Sequence, residues 1–346
     1  MKIKRLLALG LAVIMAATLI SGCGQSGGEK AAGNSTESKT SGEPIKIALS
    51  PWPGWIPWYL VEEKGFFKKY GVNVELKWFP VYSDSLQALA TGQVDANSQT
   101  LSDTLAPVSK GLPLKAVLVN DNSFGGDGVV AKPQYKTMAD LKGKKVATEL
   151  GTIDHLLMIT GLDRYGLQES DVQYTNMTVN DAGPAFIAGN LDAAVLWEPF
   201  LTKAVKEGKG KIIFSSKDTP GLIPDLLVFN EKTLKERPED VKKILMAWFD
   251  AMEWWKQNPE EAIKIMAKKA ESSPEDYKQS VQSVKIFTLE DNIKAFTKAE
   301  SMEYLGYTGL KTAKFLKSKN MLETIPDVES ILDDSFIKAI AAEKGK

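Results

Sequence analysis

Apolar and polar positions fall into two alternating patterns along this chain. Short runs in which apolar residues dominate or alternate read as strands: "IKIAL" (45–49), "VNVELKWF" (72–79), "KKVATELG" (144–151) and "DVQYTNMT" (171–178). Between them the apolar spacing becomes helical. One helix is predicted over 85–91, capped by Asp84 or Ser85 and stopped at Gly92; another is capped by Asp181 and stopped at Gly189. The two segments "ALATGQVDA" (88–96) and "AFIAGNLDA" (185–193) match at a constant offset of 97, and "YG" at 70–71 and 165–166 precedes equivalent strands. Each unit reads strand, helix, strand, helix, strand, which predicts two α/β lobes with mostly parallel sheets. Beyond them, 237–270 reads as two amphipathic helices broken at Asn258-Pro259, with Trp248, Trp254 and Trp255 assigned to the core.

Ligands of such sheets sit beyond the carboxyl ends of the strands. Two duplicated lobes with those ends facing each other enclose a cleft, and the repeat identifies its loops. They are 50–58, 80–85 and 97–103 from the first unit, and 149–155, 178–184 and 196–200 from the second. "PWPGWIPW" (51–58) is one of them, with too many prolines for a regular element and too many indoles for a solvated loop. Its rings are expected to form a rigid, exposed wall of the cleft, covered by a ligand and the opposite lobe, with Trp52 foremost and Trp55 beside it. The offset puts Trp197-Glu198 where the first unit has Thr100-Leu101, across the cleft from this loop.

The N-terminus changes the compartment. "MKIKRLLALGLAVIMAATLISGC" carries Lys2, Lys4 and Arg5 ahead of an apolar stretch and ends on small residues, as a secretory signal does. Ile20-Ser21-Gly22-Cys23 reads as a lipobox, making residues 1–22 a lipoprotein signal peptide and Cys23 the lipidated residue. Cys23 is the one cysteine of the chain, so no disulfide competes for it. Residues 23–44 are polar and small, a tether with a reach of roughly 25 Å. An extracytoplasmic protein held to the outer face of the cytoplasmic membrane by lipid alone follows. Losing residues 1–22 moves the formal charge from −1 to −4, and neither sign dominates, so composition makes no case for nucleic acid as partner.

"GWIPWYLVEEKGFFKKYGVNVEL", "ALATGQVDA", "DLKGKKVATELGT" and "AGNLDAAVLWEPF" together resemble the periplasmic-binding-protein superfamily over about 45–320. The similarity is to the nitrate/sulfonate/taurine type of ABC-transporter solute-binding protein, a group that includes thiamine-pyrimidine binders. The resemblance implies a two-lobe type II fold with two mostly parallel sheets and the ligand cleft between them, and two hinge crossings. These are placed at 122–132 and 221–230, which makes 45–129 with 226–346 lobe I and 130–225 lobe II. It also implies a monomer that hands a small solute to permease and ATPase subunits, without cofactor.

Enzymatic chemistry finds few parts. His155 is the one histidine and no thiol is left after lipidation, which removes Cys/His and His-rich metal sites; no G-x-S-x-G elbow and no Walker sequence is present. A relative of the pyrimidine-synthase type keeps an enzyme among the alternatives. The cleft loops hold the hydroxyls Ser83, Ser98, Thr100, Ser102, Thr152 and Thr178 but no lysine or arginine. They hold the acids Asp84, Asp103, Glu149, Asp154, Asp181 and Glu198, with Asp121 and Asp127 near a hinge. Acids beside indole faces suit a small cation. A subgroup associated with guanidine use looks similar in "PWPGWIPW" and in Gly126-Asp127-Gly128-Val129-Val130, which makes guanidinium the favoured solute. Taurine or an alkanesulfonate, nitrate and a thiamine-type pyrimidine are the alternatives. The expected ligand contacts are Trp52, Trp55, Asp84, Thr100, Asp121, Glu149, Thr152, Trp197 and Glu198, with Trp52 paired to one of Glu198, Asp84 and Glu149.

Overall fold

The structure is a computed structural model that describes residues 42–345. The signal peptide of 1–22, the lipidation of Cys23 and nearly all of the 23–44 tether lie outside the described residues.

The described strands form two sheets. The first contains β1 (Ile45–Leu49), β2 (Val74–Trp78), β3 (Ala96–Thr100), β4 (Leu114–Ser123), β10 (Pro224–Asn230) and β11 (Val284–Ile286), in the order β11-β4-β10-β3-β1-β2. The second contains β5 (Asp127–Ala131), β6 (Lys145–Thr148), β7 (Gln173–Asn176), β8 (Ala193–Trp197) and β9 (Lys211–Ser215), in the order β7-β6-β8-β5-β9. The repeat is physical: β3 and β8 begin and end 97 residues apart and hold the same place in their sheets. Between the described strands, parallel pairing is confined to the repeated β1, β2 and β3, and β6, β7 and β8. The pairs made by β4, β5, β9, β10 and β11 are antiparallel, so both sheets are mixed rather than mostly parallel. The physical reason is that β5 and β10 enter their sheets directly from the crossings, without the helical return that parallel neighbours need. The chain passes to the second sheet between Ser123 and Asp127 and returns between Ser215 and Pro224.

Helices fill the connections. In the first unit these are α1 (Pro57–Glu63), α2 (Phe66–Tyr70), α3 (Tyr82–Ala90) and α4 (Leu101–Ser109). In the second they are α5 (Ile153–Arg164), α6 (Val179–Ile187) and α7 (Phe200–Lys206). The caps expected at Asp84 and Asp181 lie elsewhere: α3 starts after Val81 and α6 after Thr178, about a turn earlier. Both acids fall in the first turn, where the helix dipole favours a negative charge, and Asp181 accepts a 2.9 Å bond from the Thr178 hydroxyl. Gly92 and Gly189 end these helices with φ of +72° and +82°, the left-handed turn that side chains resist.

The C-terminal helices α8 (Glu231–Glu236), α9 (Pro238–Gln257), α10 (Pro259–Lys269) and α11 (Pro274–Val281) pack beside the first sheet's helices, with α12 (Leu289–Phe296), α13 (Leu305–Ser318) and α14 (Ser335–Glu343) completing the set. The break between α9 and α10 falls at Asn258-Pro259. Trp248 is fully buried, whereas Trp254 and Trp255 are half-buried against a smaller cluster around Leu60, Ile263 and Met266.

"PWPGWIPW" does not form an exposed wall. Pro57 opens α1, where its missing N–H has no intrahelical partner to lose. Trp58 turns into the core, with its ring centroid 4.4 Å from Trp248 and 6.2 Å from Phe67, and its Nε1 donates to Ser98 Oγ at 3.2 Å. Trp52 and Trp55 are buried too, at 5% and 4% exposure, but on the side facing the second sheet. Trp58→Ala is expected to lower unfolding free energy by about 3–5 kcal/mol in urea titration. A loss below about 1 kcal/mol would mean that this ring is not a core support.

Candidate functional site

The register of the sheets builds the site. Across the first sheet, Thr100 of β3, Asp225 of β10 and Asp121 of β4 stand in one row. Across the second, Trp197 of β8 stands opposite Asp127 of β5. Both rows lie at the edge where the sheets approach, and they meet in one small chamber of about 20 Å³. The first sheet's side contributes Trp52, Trp55, Tyr82, Thr100 and Asp225. The second contributes Asp127, Ile153 and Trp197, and Ile223 comes from the returning crossing. The aromatic wall is continuous: Trp52 to Trp55 at 6.3 Å, Trp55 to Tyr82 at 5.4 Å, and Tyr82 edge-on to Trp197 at 5.7 Å.

Trp52 is fixed from behind, because its Nε1 donates to Asp121 Oδ1 at 3.0 Å. Gly54 makes room for that carboxylate, since a Cβ there would lie 1.9 Å from Asp121 Oδ2. Asp121 and Asp225 face each other across β4 and β10 and are hydrogen-bonded carboxyl to carboxyl, which requires one of them to hold a proton. Burial first pushes both well above the ordinary carboxylate range, with the charge of Asp127 adding to it at Asp121 and the charges of Asp121 and Asp127 adding to it at Asp225.

Three more buried acids stand at or near the chamber, of which Asp127 lines it. Asp127 is buried with Oδ2 unpartnered, and burial pushes it up to about 7 despite a hydrogen bond from Ser123. Asp154, in the first turn of α5, has no hydrogen-bond partner among the described residues on either oxygen and is pushed far up by burial and by Asp127, Glu149 and Asp103. Asp103, in the first turn of α4, is likewise raised by burial to about 7. Among the described residues, no lysine or arginine lines the chamber.

Of the residues expected at the ligand, Trp52, Trp55, Thr100 and Trp197 line the chamber, and Asp121 stands one shell back holding Trp52. The others are placed differently. Asp84 is exposed on α3. Thr152 turns its hydroxyl to the Glu149 carbonyl at 2.8 Å, and Glu149, raised by burial, faces Ser83, Asp84 and Asp181. Glu198 accepts from Thr202 Oγ1 at 2.7 Å and from Thr202 N at 3.3 Å, at the start of α7. There it borders a separate hollow with Gly125, Lys206 and Lys217. The acids that reach the chamber beside Trp52 are Asp225 and Asp127 instead. Asp225 escaped the sequence reading although "IPDLLVF" carried its signal, a lone acid inside an apolar strand. His155 stands apart, its Nε2 against Glu169 and its Nδ1 accepting from Gly151 N at 3.3 Å.

The family described as NMT1/THI5 like matches residues 52–262, more than half of the chain, and the chain belongs to that family. A Brucella abortus protein, provisionally named a binding protein, is 29% identical over 68% of this chain and 74% of its own. A Bacillus subtilis protein, provisionally named an aliphatic sulfonates-binding protein, is 25% identical over 96% and 97%. The crystal structure of the periplasmic aliphatic sulphonate binding protein of Escherichia coli superposes with a TM-score of 0.69, at 22% identity, over 84% of this chain and 97% of that one. Other similar proteins are named for taurine (Escherichia coli, 24% identical over 65% and 67%) and for nitrate (Synechocystis, TM-score 0.70, 16% identical over 87% and 88%). A two-lobe periplasmic-binding-protein fold follows. That fold also carries enzymes, since a desulfurization enzyme superposes with a TM-score of 0.62 at 14% identity over 88% of this chain and 100% of its own.

Acids that hold protons more tightly folded than unfolded take up protons on folding, so stability falls as pH rises from the ordinary carboxylate value, about 4, through the raised ones. With Asp103 and Asp127 raised to about 7, the thermal midpoint of the ligand-free protein should drop between pH 5 and pH 8, and Asp127→Asn should flatten the slope. A midpoint that climbs over this window would contradict the burial of uncompensated carboxylates.

Proposed function

We propose that this NMT1/THI5-like chain is the extracytoplasmic solute-binding component of an ABC importer, and that its solute is a small planar cation rich in N–H donors, with guanidinium the simplest case. The observation that carries the reading is the pair Asp127 and Asp225. Each is buried, each keeps one oxygen without a partner among the described residues, and both open onto a chamber walled by Trp52, Trp55, Tyr82 and Trp197. A desolvated cation over indole faces gains on the order of 2 kcal/mol from each good contact; Asp127 regains the partner that burial denies it, and Asp225 gives up the proton it shares with Asp121 as the cation binds.

Size and charge narrow the choice. The chamber of about 20 Å³ has room for one or two waters, each needing about 10–15 Å³, so the smallest candidate solutes require the least parting of the lobes. Nitrate and guanidinium share that shape and differ in sign, and the acids favour the positive one. An anion would look for helix N-terminal amides, but the first N–H of α5 is already taken by the Asp103 carboxylate, Ile153 N donating to Oδ2 at 3.3 Å. Closure is proposed to hinge on the two crossings between the sheets.

The names of similar proteins favour the alternative reading. They carry aliphatic sulfonates, taurine and nitrate, and none of those reported carries a cation. Calorimetric titration of the purified protein separates the two. The cation reading expects saturable guanidinium binding, recovery of the solute with unchanged mass, and a 10- to 100-fold loss in Asp225→Asn, as for one charged hydrogen bond of about 1.5–3 kcal/mol. Tight binding of nitrate, taurine or an alkanesulfonate, indifferent to Asp225→Asn, would hand the site to the alternative and leave the transport role intact.

The membrane attachment belongs to the same proposal. Among the described residues no helix is long and apolar enough to cross a membrane, and Cys23 is proposed as the lipidated anchor. Metabolic fatty-acid labelling should mark the protein and vanish in Cys23→Ala; a label that persists there excludes this anchor.

A further inference from the structure

The hydrogen bond between Asp103 and Ile153 joins two helices that belong to different sheets, and the local capping pattern explains why it is available. α4 opens with Thr100-Leu101-Ser102-Asp103, the spacing of a capping box. In a complete box the Thr100 hydroxyl accepts from Asp103 N, and the Asp103 side chain reaches back to Thr100 N. The first half is present, at 3.2 Å. The second is not, because Thr100 N donates to the Tyr82 hydroxyl at 3.0 Å. That hydroxyl in turn donates to the Asp103 carboxylate. Tyr82 thus stands in for the acid at its own helix and leaves one carboxylate oxygen free to point out of α4.

The opposite helix has the complementary defect. Thr152 occupies the N-cap position of α5 but makes no capping bond, its hydroxyl being turned to the Glu149 carbonyl. Ile153 is the first residue of α5, and its amide is served neither by the helix nor by an N-cap side chain, which would bond the second or third amide, so it needs an acceptor from elsewhere. Its acceptor is Asp103 Oδ2, supplied from the other lobe. Ile153 and Tyr82 both line the chamber, so the two ends of this connection border the proposed solute.

We propose that Asp103 is the latch of the binding protein: a helix cap supplied in trans, made when the lobes come together and broken when they part, which sets how long a solute stays. It rests on the solute-binding reading of the chamber. Asp103 acts through Tyr82 and the α5 N-terminus, and is a positioning residue that does not contact the solute. The cap lies where the lobes meet, so its loss speeds opening and leaves the encounter of solute with the open cleft unchanged.

Asp103→Ala and Asp103→Asn in the full chain test it with two readouts. The first is hydrogen exchange at the Ile153 amide, followed without added solute and with guanidinium. Alanine should raise that rate at least about 5-fold, whereas asparagine, which keeps a side-chain carbonyl oxygen for the Ile153 amide, should keep it near wild type. The second is guanidinium release followed by tryptophan fluorescence, since Trp52, Trp55 and Trp197 line the chamber. Alanine should raise koff about 5- to 10-fold with kon unchanged, and asparagine by less than about 3-fold. Equal exchange at Ile153 in all three proteins, with and without guanidinium, overturns the latch. So does a koff in Asp103→Asn as fast as in Asp103→Ala, which would mean that charge near the solute matters and capping does not. If wild type fails to bind guanidinium, the cation reading falls by itself and the exchange rates still judge the latch.

Discussion

Negative charge taken out of water without a protein cation to meet it is the constraint around which this structure is arranged. Asp103, Asp121, Asp127, Asp154 and Asp225 are all buried, and for each of them burial is the largest force raising its proton affinity. An isolated buried carboxylate costs several kcal/mol, so each must be neutralised, hydrogen-bonded or partnered. The chain uses all three remedies in different places. Asp121 and Asp225 share a proton, and Asp121 also accepts from Trp52. Asp103 accepts from the tyrosine below it and the helix opposite. Asp127 and Asp225 keep an oxygen turned to the chamber, and those oxygens carry the proposed chemistry.

The fold accounts for how such acids come to be neighbours. A duplicated unit makes two sheets whose strand ends face each other, and the strands inserted from the crossings, β5 and β10, bring Asp127 and Asp225 beside the duplicated ends at Trp197 and Thr100. The repeat therefore supplies the aromatic and hydroxyl walls, and the crossings supply the charge. Because the crossings also join the lobes, motion of one lobe against the other would move the two acids relative to each other. Charge and closure are then coupled by covalent connection alone.

Much of this was legible from pattern, and the remainder fails for identifiable reasons. Period-2 and period-3.6 runs with a 97-residue offset suffice for the two lobes, the strand ends and the loops that meet. Periodicity cannot say which way a loop side chain turns. Glu198 and Trp197 are adjacent, yet the strand's alternation puts the ring in the chamber while the carboxylate turns to the amide and hydroxyl of Thr202. In "PWPGWIPW" the spacing of three looked like one wall, but α1 begins at Pro57 and rotates Trp58 into the core, away from Trp52 and Trp55. Asp84 and Asp181 were displaced by a single turn of helix, which is the ordinary uncertainty of an N-terminus read from caps. Asp225 was missed because the cleft was assembled from loops after repeated strands, and β10 belongs to neither repeat.

The same geometry bears on how selectivity could be obtained in a chamber too small for many contacts. Shape alone cannot separate guanidinium from nitrate, since both are flat and trigonal. Sign can, provided that no donor set remains for the anion. Helix N-termini are the usual donor sets, and the first amide of α5, at the chamber-lining Ile153, is taken internally by Asp103. A carboxylate in that position does two things at once: it fills the place an anion would take, and it adds to the negative field felt by Asp127 and Asp154. A relative that binds an anion through such a terminus would have to leave the amide free. A residue at position 103 able to occupy it would therefore work against an anionic solute by competition as well as by charge.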